Sequence, residues 1–269
     1  MLKLMCILAH PDDESLGMGG TLARYAGEGV QTYVVTATRG ERGRYGDDGE
    51  RPPLDVVGQR REQELRAAAR VLGVREVSFL DYIDGDLDQA DPEEAVAKIV
   101  REIRRVRPQV IVSFGPEGAY GHPDHIAISQ FAASAAICAA DPDFDDGADA
   151  QQAHRVSKMY YMIWTPAKWA AYQEAFRDLK TTIDGVERRA TPWPAWVVTT
   201  VVDTHAHWQT AWKAIQCHKT QLTIYDKLAH LSDEHHAGLW GSQEFYRVFS
   251  SVNGGRRRET DLFEGLRID

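Results

Sequence analysis

Cysteine is scarce in this sequence. Cys6, Cys138 and Cys217 are the three present, they lie far apart, and no Cys-x-x-Cys pair occurs. That excludes a disulfide-stapled scaffold and a thiolate-rich metal centre. It fits free thiols in a reducing compartment, so a cytoplasmic protein is expected. Long apolar runs are also missing. The longest weakly polar stretch, residues 126–140, is too short to span a bilayer and contains Ser129 and Gln130. The start, Met1 to Ala9, is too short for a signal-peptide core. Positive charge is not in excess: 31 Lys and Arg stand against 40 Asp and Glu, a net charge of −9. This argues against a broad nucleic-acid-binding face. No membrane span and no nucleic-acid partner are therefore expected, and self-association is left open.

The 269 residues are 43% hydrophobic and 26% charged, ordinary values for one large globular domain. Apolar runs and amphipathic stretches alternate. Leu2–Ala9, Gln31–Thr38, Glu76–Leu80 and Gln109–Phe114 read as strands. A short helix with Leu22, Tyr25 and Ala26 on one face follows the glycines of Gly17-Met18-Gly19-Gly20. Further helices are expected over Gln59–Leu72, from the Asp91-Pro92 start to Val106, and from Pro123 to about Ala140. The pattern predicts a parallel, doubly wound α/β half over 1–140, and 141–269 completes a single domain, 1–269. In the second half, strands are expected at Lys158–Trp164 and Trp196–Val202, and helices at Ala167–Leu179 and from Thr204 to about Leu222. Residues 44–54, 141–152 and 181–194 read as loops, and the tail after Ser232 as irregular.

Two polar clusters stand directly after predicted strands. His10-Pro11-Asp12-Asp13-Glu14 follows the first, and His122-Pro123-Asp124-His125 follows the fourth after a short glycine-rich loop. In an open parallel sheet, ligands bind at that carboxyl edge. Imidazole and carboxylate are ordinary zinc donors. A single His-x-x-Asp is equally well a turn that caps a helix. Two such clusters at one sheet edge gather carboxylates that repel one another unless a cation sits between them.

The whole pattern resembles the PIG-L/LmbE-like family of zinc-dependent N-acetylglucosaminyl deacetylases. Besides the two clusters, the resemblance includes Thr38-Arg39-Gly40-Glu41, the Arg61-x-x-Glu64 helix ending at Leu72-Gly73, His218-Lys219-Thr220-Gln221, and Glu259-Thr260-Asp261-Leu262-Phe263. It implies a Rossmann-like three-layer fold with a mostly parallel sheet and additional C-terminal strands and helices. It further implies His10, Asp13 and His125 as ligands of a zinc ion (or another divalent transition metal such as Fe2+). Asp12 becomes the general base and His122 the group that polarises or protonates the reacting amide, expected here as imidazolium. The substrate implied is a small N-acetylated amino sugar. Ala119 stands where many members have glycine, which bears on loop flexibility rather than chemistry.

Beside the resemblance, the residues carry local readings. Tyr120 is either a second oxyanion donor or a loop aromatic. Arg61, Asp84 and Glu41 are candidates for holding sugar hydroxyls, but Arg61 also reads as a surface partner of Glu62 or Glu64 and Asp84 as a turn residue. Arg39 and Arg42 read as solvated. Glu14 is expected to support a ligand histidine or cap a helix, and His218 reads as a core histidine. Trp193 and Trp196 could stack on a sugar, but packing in the core is the reading preferred for them. The proton donor to the leaving amine is left open between Asp12 and His122. Three rivals are an amidase of thiol-sugar conjugates, a two-metal phosphoesterase using Asp124 and Glu14, and a nucleotide-binding module.

Overall fold

The structure is a computed structural model describing residues 1–45, 51–147, 151–175, 180–183, 185–222, 226–255 and 257–267. Five strands alternate with helices through the first 163 residues. They are β1 (Lys3–Leu8), β2 (Gln31–Thr38), β3 (Glu76–Tyr82), β4 (Val110–Phe114) and β5 (Lys158–Ile163). The helices between them are α1 (Asp13–Gly27), α2 (Leu54–Leu72), α3 (Pro92–Val106) and α4 (Pro123–Cys138). The second part adds α5 (Pro166–Ala175), a hairpin of β6 (Lys180–Ile183) and β7 (Val186–Arg189), then β8 (Thr200–Asp203), α6 (Trp208–Ile215), α7 (Asp233–Trp240) and β9 (Ser242–Ser250).

One seven-stranded sheet runs in the order β3-β2-β1-β4-β5-β9-β8. β1 to β5 are parallel, and β9 and β8 join antiparallel. From β1 the chain builds outward to β3, then returns to the other side of β1 with β4. That reversal opens a crevice at the carboxyl ends of β1 and β4. The central strands are apolar throughout because helices cover both faces: Leu4 to Leu8 and Val110 to Val112 have no exposed surface.

Local chemistry explains the helix starts. Asp91 accepts hydrogen bonds from the Glu93 and Glu94 N–H groups, ahead of Pro92, and opens α3. Gly73, at φ 72°, closes α2 in the left-handed conformation. α1 starts four residues before the glycine run, at Asp13, so Gly17, Gly19 and Gly20 lie inside the helix. They are there for close packing. A Cβ on Gly19 would stand 2.9 Å from the Ala211 Cβ, and one on Gly20 would stand 2.7 Å from the Thr204 Cβ. Thr204 does not cap a helix through its side chain; its hydroxyl donates to the Trp240 carbonyl at 2.6 Å.

Three further regions differ from the expectation. Residues 181–194, read as irregular, include the hairpin, and the tail after Ser232 holds α7 and β9. β9 pairs with β5 on one side and β8 on the other, so its long-range partners, invisible to local pattern, decide its state. The strand expected at Trp196–Val202 shrinks to β8, and Trp196 is 84% exposed rather than in the core. Positions 46–50 and 148–150 of two expected loops, the end 176–179 of the helix expected to Leu179, and Arg256 lie outside the described residues. No helix among the described residues is long and apolar enough to cross a membrane.

The far end of α4 is anchored by a buried guanidinium. Arg104 of α3 donates to the carbonyls of Asp141 (2.6 Å) and Phe144 (3.0 Å) and pairs with Asp146 at 2.9 Å. Weaker contacts reach the Cys138 and Ala139 carbonyls.

A helical glycine replaced by alanine ordinarily gains about 0.5–1 kcal/mol. At Gly19 the new methyl meets a methyl and the backbone of α6, and such overpacking costs about 1–3 kcal/mol. Gly19→Ala is therefore expected to destabilise the protein, read as a lower urea midpoint.

Candidate metal centre and catalytic cavity

Both polar clusters arrive at the crevice between β1 and β4. The turn after β1 places Asp13 at the first helical position of α1, where its Oδ2 accepts the N–H groups of His10 (2.8 Å) and Ala9 (3.2 Å). The turn after β4 makes His122 the N-cap of α4, its Nδ1 accepting the Asp124 N–H at 3.2 Å. One turn into α4, His125 stacks on Phe114 at 3.9 Å between ring centroids.

The two clusters meet on His10. Its Nε2 lies 3.0 Å from Asp124 Oδ2 and 3.1 Å from Asp84 Oδ1. Ionised carboxylates only accept, so Nε2 carries the proton. Nδ1 then faces His125 Nε2 at 3.1 Å and Asp13 Oδ2 at 3.9 Å, while Asp13 Oδ1 is 3.6 Å from His125 Nε2. Ligand atoms of a tetrahedral zinc site stand about 3.3 Å apart, given bonds near 2.0–2.1 Å. Two facing imidazole nitrogens and a carboxylate at these separations can share a proton or a cation, and a divalent ion fits the donor set. Two overlapping groups bring one donor atom of each residue within 4.8 Å of the others: His10 with His122 and His125, and His10 with Asp84 and Asp124. Asp124 has no exposed surface, and its oxygens accept the Gly85 N–H (2.7 Å) and the Leu87 N–H (3.2 Å). It supports His10 from behind, whereas His10, Asp13 and His125 line an open cavity.

The buried charges at this point act strongly on one another. Burial lifts the Asp13 carboxyl to about 7, with His10 opposing and Asp12 adding. Burial works against charge on His10, but Asp84, Asp124 and Asp13 outweigh it and hold His10 well above the usual histidine range. Asp84 is buried too, yet His10 and Arg61 keep it well below the usual carboxylate range. Burial and the charge on His10 press His122 down to about 4, which makes it a neutral imidazole rather than the expected imidazolium. With Nδ1 accepting, Nε2 of His122 carries a hydrogen. Burial raises the Tyr120 phenol strongly, with Asp13 and Asp12 adding, so it remains a donor.

Asp12 lines the cavity from an unusual backbone, φ 107° and ψ −25°. Such a conformation costs on the order of 1–3 kcal/mol outside glycine. Its N–H donates to Glu14 Oε2 at 3.0 Å. Its Oδ2 accepts from Arg61 Nη2 at 3.2 Å, and the same nitrogen donates to the Pro11 carbonyl at 2.5 Å. Arg61 is thus buried at the site, not a surface partner of Glu62 or Glu64. Glu41 does not line the cavity; it accepts the Asp84 N–H at 3.1 Å from behind. Arg39 pairs with Glu62 and Asp81, and Arg42 makes a two-pronged pair with Asp86, so neither is merely solvated. Glu14 does not support a ligand histidine: it pairs at 2.8 Å with His218, both fully buried.

The cavity measures about 490 Å³, and His10, Asp12, Asp13, Arg61, Asp84, Tyr120, His122 and His125 all line it. From the sequence Asp124 was assigned only to the rival two-metal phosphoesterase, although its place two residues after a histidine at a helix start repeats the first cluster. The wall formed by Trp164, Trp169 and Tyr172 was also missed, since aromatic residues there read as helix and strand packing.

A family model described as PIG-L, GlcNAc-PI de-N-acetylase, matches residues 5–136. A 1D-myo-inositol 2-acetamido-2-deoxy-alpha-D-glucopyranoside deacetylase of Streptomyces griseus subsp. griseus is 36% identical, over 98% of this chain and 89% of the relative. The chain belongs to the PIG-L family. A deacetylase of the same description from Kineococcus radiotolerans is 35% identical over 98% of this chain and 83% of its own. In fold, this PIG-L member is similar to the N,N'-diacetylchitobiose deacetylase of Pyrococcus horikoshii, with TM-score 0.68 and 21% identity over 91% of this chain and 83% of that one.

Two outcomes are expected. Asp124→Ala leaves the Gly85 and Leu87 N–H groups without their acceptor and leaves His10 Nε2 held by Asp84 alone. Metal affinity, read by chelator competition, should fall roughly 10- to 100-fold. In metal-free protein, an unfolded His122 takes up a proton near pH 6.5 that the folded one refuses until about 4. This group therefore destabilises the fold as pH falls through that window. His122→Gln should lose less stability than the parent between pH 7 and pH 5, as measured by urea unfolding.

Proposed function

We propose that this PIG-L member hydrolyses the N-acetyl amide of an N-acetylglucosamine-type glycoside, releasing acetate and a free amine, at a zinc ion held by His10, Asp13 and His125. The observation that carries the reading is the convergence of His10 Nδ1, His125 Nε2 and Asp13 on one point, with Asp12 beside them on the cavity wall. Fe2+ would suit the same nitrogen and oxygen donors. A divalent ion there supplies Lewis acidity toward the amide carbonyl and lowers the pKa of water.

The chain's own groups do the rest. Asp12 accepts the proton of the attacking water, as a general base should, and Arg61 holds its carboxylate through Oδ2. His122 directs its Nε2 hydrogen to the carbonyl oxygen, where negative charge develops, and the Tyr120 phenol adds a second donor. A neutral imidazole suffices for that work. Asp12, carrying the proton it accepted, passes it to the nitrogen as the C–N bond breaks. Asp84 and Arg61 face the sugar hydroxyls, and Glu41 holds the Asp84 backbone. Three free cysteines suit the cytoplasm.

Two of the rivals, the two-metal phosphoesterase and the nucleotide-binding module, lose support. Asp124 and Glu14, the carboxylates a second metal would need, are fully buried and committed to other partners. Gly17 to Gly20 are inside α1 and pack on α6 and Thr204, so they form no phosphate loop.

Asp12→Asn should keep the metal content measured on pure protein while amine release from an N-acetylglucosaminyl inositol falls by about 10²–10⁴. Undiminished turnover would remove Asp12 from the mechanism.

A further inference from the structure

The cavity has two unlike flanks, and strand order separates them. On the β2 and β3 side the wall is Arg42, Arg61 and Asp84. On the β5 side it is Leu16, Met162, Trp164, Trp169 and Tyr172. The donors from β1 and β4 stand between. The apolar flank is held rigidly. The Tyr172 hydroxyl donates to the Leu16 carbonyl at 3.0 Å, and its ring packs against Trp164 and Trp169, each at 6.4 Å between centroids. The Trp193 N–H fixes the Trp164 carbonyl at 2.9 Å. Behind this wall lies a core cluster containing Trp208, Leu239 and Trp240. Lys180 also lines the cavity, but its ammonium pairs with Glu187 at 2.7 Å.

An N-acyl amino sugar is equally two-sided about its amide. The nitrogen carries a ring rich in hydroxyls, and the carbonyl carbon carries only C–H groups. Burying hydroxyls against leucine, methionine and indole leaves them unpaired at a cost, whereas acyl carbons gain there. One methyl group cannot cover five apolar side chains, two of them tryptophans. We infer that the β5 flank is the acyl subsite and that it takes acyl groups longer than acetyl. The substrate class is then a glucosamine carrying a short aliphatic or aromatic acid. The inference rests on the deacylase reading above, and the reaction is the same: water gives hydroxyl to the acyl carbon and hydrogen to the amine as the C–N bond breaks.

The metal-loaded protein is to be assayed by amine release on methyl glucosaminides carrying N-acetyl, N-butyryl, N-hexanoyl or N-benzoyl groups. The expected result is a kcat/KM that rises about fourfold for each added methylene as far as butyryl. Trp169→Ala should bring the butyryl-to-acetyl ratio close to one, and Trp169→Phe should keep most of it. A parent ratio of one or less overturns the inference, as does a ratio unchanged in Trp169→Ala. Should no substrate of the series react, the deacylase reading is what fails. Calorimetry with the carboxylate products tests the subsite independently: hexanoate must bind at least tenfold more tightly than acetate, and equal affinities overturn the subsite.

Discussion

The contact between Asp124 and His10 ties this molecule together. It joins the first turn of α4 to the end of β1, across 114 residues of sequence, at 3.0 Å and with no exposed surface on the carboxylate. Because Asp124 also takes the N–H groups of Gly85 and Leu87, the loop after β3 is tied to the same point. A buried carboxylate with three donors fixes which ring nitrogen of His10 holds hydrogen, and so which one is free for a cation. The other groups at the centre are arranged around that choice. Losing such a group would strand several buried partners, each costing about 1–3 kcal/mol.

Topology makes the contact available. β1 and β4 are neighbours because the chain reverses its direction of build between them, with Leu4 opposite Val110 and Cys6 opposite Val112. Loops that leave their carboxyl ends must share a crevice. The flanks of that crevice inherit their chemistry from the next strands outward: charged loops after β2 and β3 on one side, aromatic residues after β5 on the other.

Much of this was legible from residue order alone. The Asp91-Pro92 start, the Gly73 stop and the unbroken apolar runs of β1 and β4 express local chemistry strong enough to survive in any context. The two His-Pro-Asp clusters were legible for another reason, since their cost in carboxylate repulsion demands an explanation. What escaped notice depends on distant partners. β9 is a strand because β5 and β8 flank it. Glu14, expected to support a ligand histidine or cap a helix, accepts the N–H of Asp12 at the start of α1 but supports no ligand histidine; its other oxygen pairs with His218, from a part of the chain 204 residues away. The glycines of α1 were placed ahead of the helix because nothing local reveals that α6 presses against them. The pressure that burial and His10 exert on the His122 imidazole is likewise a fact of the fold, not of the local sequence.

The anchoring of α4 by Arg104 has a mechanical consequence. A helix of 16 residues is about 24 Å long, and it carries His125 near one end while the guanidinium grips the loop at the other. It behaves as a lever with a clamped far arm. A small angular slip at the clamp would translate into a displacement of the imidazole large against the few tenths of an ångström that a proposed metal ligand could tolerate. The placement of His125 is therefore partly set on the opposite side of the molecule, by an arginine that does not line the cavity.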